Sequence, residues 1–195
     1  MRLNLKRTIA AVAAVALLGT GSVFASPPAP SPDSAYLSAR ASTLLSEIQE
    51  EAVGLALHAE TLGTFAWTPQ YSWQSHAFYL DNVKGHINAV GERTAELQQI
   101  RYAVLPWQQQ AITEVTSHAA QVAASAQAAI VHLRENQNRL FVSEYREHLT
   151  SIADRSGDMK QTVDKFLNYE KAQRNYEEAQ QKYLRLENEL ELAGY

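Results

Sequence analysis

The sequence predicts an all-α fold: an antiparallel up-down four-helix bundle with an extended C-terminal helix protruding from it. Three observations lead there. Beyond Ser34 the chain has just two prolines, Pro69 and Pro106, and no sustained alternation of β-branched residues. Ala, Gln, Glu and Leu, mostly good helix formers, dominate the composition. Apolar residues recur at alternating spacings of three and four along four separate stretches, the seam pattern of helices crossing at about 20°.

Before the first of those stretches comes an export signal. Arg2, Lys6 and Arg7 form a basic start, Ile9 to Leu18 is apolar, and Val23-Phe24-Ala25 places small residues around a bulky one, as signal peptidase requires. The apolar run would span about 15 Å as a helix, half of a ~30 Å bilayer core. Residues 1–25 therefore read as a cleaved signal peptide rather than an anchor, and no later stretch is apolar enough to cross a membrane. The expected destination is the periplasm or the outside of a bacterial cell. Cleavage leaves 14 Lys+Arg against 21 Asp+Glu, a net charge of −7. So acidic a chain disfavours nucleic acid and anionic lipid as partners.

A Pro/Ser linker follows over residues 26–33, beginning SPPAPSP. The bundle is assigned to 34–168. Ser31-Pro32 supplies a capping Ser with Pro at the first helical position, and the stripe of helix 1 is Ala41, Leu45, Ile48, Ala52, Leu55, Ala59, Leu62 and Ala66. Thr68-Pro69 repeats the start signal for helix 2, with Trp73, His76, Leu80, Val83, Ile87, Val90, Thr94 and Leu97. Pro106 opens helix 3, with Ile112, Val115, Ala119, Val122, Ala126, Ala129 and Leu133. Helix 4 carries Val142, Tyr145, Leu149, Ile152, Ser156, Met159, Val163 and Phe166.

The break between helices 3 and 4 has neither Gly nor Pro in Glu135 to Leu140. Phase argues for it. Continuing from Leu133, core positions would fall on Asn136, Leu140, Ser143 and Glu147, whereas the stripe restarts at Val142. One unbroken helix is the rival.

Helix 4 does not stop with its neighbours. Helices 1 to 3 hold about 45 Å each, and 142–192 spans ~75 Å. Residues 169–195 are assigned to an overhanging, coiled-coil-like end whose stripe is Tyr169, Ala172, Tyr176, Ala179, Tyr183, Leu186 and Leu190. Such a stripe fits self-association or a helical protein partner; a solvated, fraying end is the alternative.

Chemistry is harder to find. With no cysteine, thiol catalysis, disulfides, Cys-ligated metal and C-x-x-C-H haem attachment are excluded. There is no G-x-S-x-G, Gly-rich phosphate loop, H-E-x-x-H or Glu-x-x-His. The expected protein is not an enzyme.

The six histidines are more informative. By axial height, His58, His76, His132 and His148 fall about 10–15 Å from the end bearing the 1–2 and 3–4 turns, one per helix; His86 and His118 fall at about 27 and 32 Å. Converging imidazoles are how bundles hold a transition metal. Glu144, one turn before His148, and Glu135, near His132, are the candidate carboxylates. Since g edges meet across alternate seams, two histidines plus a carboxylate or His76 is the realistic set. Half-buried histidines that merely pack, or a seam that responds to pH, are the competing readings.

Six aromatics, Phe65, Trp67, Tyr71, Trp73, Phe78 and Tyr79, gather at the same end, with Phe141 and Tyr145 nearby. They either line a ligand pocket or plug the bundle's open end; Trp107 plugs the other. Gly54, Gly85, Gly91 and Gly157 sit inside helices at a cost of about 1 kcal/mol each. Gly85 and Gly91 are candidates for close helix contact.

Overall fold

A computed structural model describes residues 32–68 and 70–192. The described residues form four helices and no strand: α1 Pro32–Phe65, α2 Trp73–Ile100, α3 Pro106–Glu135 and α4 Ser143–Leu192, with a 3-10 turn at Arg101–Ala103. The export signal and the linker up to residue 31 lie outside the described residues. The last two linker positions, Pro32 and Asp33, are already the first turn of α1.

α1 packs against α2 and α4, and α3 against the same two, so the helices enclose one apolar core. Every position of the helix 1 stripe is buried, as are Tyr145 to Phe166 along α4. Four expected core positions are only partly covered: Ile87, Ala119, Val142 and, further out, Trp73 at 39% exposure. The core also takes residues outside the stripes, Leu44 and Ala111 among them. α3 and α4 are separate helices. Asn136 closes α3 by donating its backbone N–H to the His132 carbonyl at 2.9 Å and its side-chain amide to the same oxygen at 3.2 Å. Leu140, in the turn, is buried.

The start of α2 is four residues later than Thr68-Pro69 suggests. The Thr68 hydroxyl donates backwards to the Thr64 carbonyl at 3.0 Å instead of capping forwards, and its N–H bonds Phe65. The cap is Ser72, in extended conformation, whose Oγ accepts from the Ser75 N–H. At the other end, α3 begins at Pro106 as expected, but its fastening is a residue that periodicity does not single out. Gln108 is buried; its Oε1 accepts from Leu105 N–H at 3.1 Å, and its Nε2 donates to Ser38 O and Ser42 Oγ of α1.

The glycines divide sharply. A β-carbon added at Gly85, Gly91 or Gly157 would meet nothing within 4 Å, so the first two do not mark close helix contacts. At Gly63 it would touch Ala153 of α4 at 3.2 Å, and at Gly54 it would collide with His86.

Candidate functional site

The four histidines assigned to one layer are distributed over three environments. His76 is wholly buried. Its Nδ1 lies 3.1 Å from the Tyr145 hydroxyl, and its Nε2 has no hydrogen-bond partner. Burial pushes its pKa below the ordinary 6.5 and pushes that of Tyr145 upward, so both groups are held neutral. Around them the aromatic end takes shape. Phe65 stacks on Tyr71 with ring centroids 3.9 Å apart and meets His76 and Tyr79 edge-on, while His132 stacks on Tyr145 at 4.9 Å. Only part of the aromatic cluster joins this packing. Phe78 and Phe141 are exposed, and Trp67, 71% exposed, lies under the Arg146 guanidinium.

His132, besides stacking on Tyr145, shares an open cavity between α3 and α4 with His148. Its volume is about 610 Å³, and Glu135, Glu144, Asn136 and Arg139 also line it. Within it His132 Nε2 approaches the Arg139 carbonyl at 3.4 Å. Glu144 and Glu135 thus share a cavity with two of the expected histidines; His58 and His76 do not line it.

His58 faces α2 instead. Its Nδ1 is 3.1 Å from Nε2 of His86, and His86 Nδ1 is 2.8 Å from Oε2 of Glu51. The arrangement continues a polar ladder along α1 and α2. Arg93 bridges Glu47 at 2.9 Å and approaches Glu51 at 3.8 Å, and Arg40 bonds both carboxylate oxygens of Glu96 at 2.7 and 3.0 Å. The Arg40 contact holds the Glu96 carboxyl below its usual range. Neither His86 nor Glu51 was singled out by height. The signal available in the sequence was Gly54, a helix-interior glycine one turn before His58. Among the described residues, no three histidine, aspartate or glutamate side chains stand close enough together to share a metal ion.

Along α4, Trp107 of α3 meets Tyr169 edge-on at 5.8 Å. Beyond that contact every residue from 171 to 192 is exposed, Ala172, Tyr176, Ala179, Tyr183, Leu186 and Leu190 included. A shallow apolar depression lies over Tyr176, Ala179, Tyr183 and Leu184. Elsewhere, no helix among the described residues is long and apolar enough to cross a membrane.

No family model, curated protein or solved structure matches the chain.

Proposed function

We propose that the chain is an exported, non-enzymatic helical-bundle protein that works by protein contact through the C-terminal part of α4. In this reading the bundle is up-down in topology and α4 extends past it. Arg40–Glu96 with His86–Glu51, Gln49–Asp164 with the Gly63–Ala153 approach, and His118–Thr162 with Gln121–Arg155 each run in opposite chain directions, which supports antiparallel neighbours. The single observation that carries the function is the unbroken run of exposed residues 171–192 within a continuous helix. In proteins most helical stability comes from packing an amphipathic face against a neighbour. A segment of this length with Tyr176, Ala179, Tyr183, Leu186 and Leu190 in one row gains stability when a second helix covers that row. The partner is another helix, a second copy of this chain or a foreign one.

Sedimentation equilibrium of residues 26–195 against a chain ending at Arg174 tests the self-association form. A concentration-dependent mass in the longer chain alone supports it; equal monomer masses confine the reading to a foreign partner. Export is tested separately by the mass of the protein recovered from its host, which should begin at Ser26.

A second reading rests on the cavity that gathers His132, His148, Glu135 and Glu144: a small-ligand or metal-binding bundle. Zinc, copper and nickel titrations in which His148→Ala abolishes binding would favour it.

A further inference from the structure

We propose that His58 and His86 form a binding site for a late divalent transition metal, copper(II) before zinc(II), on the seam between α1 and α2. The site is separate from the cavity between α3 and α4 and does not depend on the C-terminal part of α4.

The argument begins with the distance between two nitrogens. His58 Nδ1 and His86 Nε2 are 3.1 Å apart. Two imidazole nitrogens bound at about 2.0–2.1 Å to one ion are separated by ~2.9 Å when cis in a square plane and ~3.4 Å in a tetrahedron. The pair therefore already has the spacing of a two-nitrogen clamp; an ion bound to both nitrogens lies about 1.3 Å to one side of the line joining them, so the two rings turn slightly as it replaces the hydrogen. Only His58 must change its tautomer, moving its proton from Nδ1 to Nε2.

His86 is prepared for that role. In the neutral imidazole Glu51 Oε2, at 2.8 Å, accepts from Nδ1–H, which leaves the lone pair on Nε2. A carboxylate behind a ligand imidazole fixes its tautomer and orientation and raises its basicity. Along the connected ladder three carboxylates, Glu47, Glu51 and Glu96, face two guanidiniums, Arg40 and Arg93, so one negative charge is left over beside His86 and the local field favours a cation.

Gly54 provides the second, independent observation. A β-carbon there would lie 2.5 Å from His86 Cε1 and 2.8 Å from its Nε2, so the imidazole can reach this position only over a residue without a side chain. Both histidines are partly exposed, which leaves water to complete the coordination. Copper(II) binds such nitrogen sets more tightly than zinc(II).

The test is copper(II) titration of the purified full chain by calorimetry, with electron paramagnetic resonance of the complex. One ion per chain is expected, with a Kd in the low micromolar range and splitting from two imidazole nitrogens. His58→Ala and His86→Ala should each weaken binding at least tenfold, and Glu51→Gln about tenfold. His148→Ala should leave this site unchanged, which separates it from the α3/α4 cavity. Circular dichroism establishes that each variant is folded. Should a histidine variant fail to fold, Glu51→Gln and the nitrogen count decide. A Kd weaker than about 100 μM, binding undiminished in either histidine variant, or a spectrum showing a single nitrogen would overturn the proposal.

Discussion

The His86 imidazole occupies the space that a β-carbon at position 54 would fill, its Cε1 2.5 Å from that point. The glycines of this protein are consequently not equivalent. Gly85 and Gly91 stand in helix interiors with nothing near their missing side chains. Replacing either with Ala should stabilise the fold by about 0.5–1 kcal/mol, the ordinary helix-propensity difference. Gly54→Ala gains the same propensity but displaces His86 from Glu51 and His58, and should show no net stabilisation. Urea unfolding of the three variants makes the comparison directly; equal stabilisation at all three would mean that the His86 contact contributes nothing.

Acid should weaken the fold through His76. Burial lowers its pKa from 6.5 in the folded state, so below that pH the unfolded chain binds a proton that the native chain excludes. The contribution is at its full value above pH 6.5 and diminishes as pH falls from there toward the folded-state pKa. Denaturant midpoints between pH 8 and 5 should decline for the wild type and decline less for His76→Gln.

Tyr145→Phe removes the hydroxyl that faces His76 Nδ1 at 3.1 Å. Because His76 Nε2 is already without a partner, the variant buries an imidazole with neither nitrogen bonded. A loss of about 1–3 kcal/mol is expected. Thermal unfolding measures it, and a loss below about 0.5 kcal/mol would place the His76–Tyr145 contact outside the stabilising set.

Ending the chain at Arg174 should leave the bundle's own stability nearly untouched, since residues 175–192 are all exposed. The thermal midpoint at low protein concentration should be unchanged, while its dependence on protein concentration disappears if copies associate. A large drop at low concentration would instead mean that the segment supports the bundle from within.

The helical stripes were legible because a 3.6-residue period leaves few ways to bury a row of Leu, Ile, Val and Ala. Tyr145 to Phe166 could be read off in order, and so could the break after Glu135, from phase alone. The His58–His86 pair was not legible, for two physical reasons. Heights counted from Thr68-Pro69 put α2 four residues, about 6 Å, out of place. Side chains also lean toward the N-terminus of their own helix. On α1 and α2, whose contacts run from Arg40–Glu96 to Glu51–His86, His58 and His86 therefore lean toward each other. His132, His148 and Glu144 did come to one cavity, because they flank a single turn whose position was right. Gln108 was missed because a glutamine among glutamines carries no periodic signal.

That glutamine has a consequence for how the helices stay aligned. The inner face of α3 is built largely from alanine and valine, a smooth track along which a neighbouring helix can slide with little change in contact. Gln108, bonded at once to Ser38, Ser42 and its own turn at Leu105, acts as the notch on that track. A slip of one helical turn would strand a buried amide, at about 1–3 kcal/mol, so a single polar side chain selects one alignment from several that oily contact alone would tolerate.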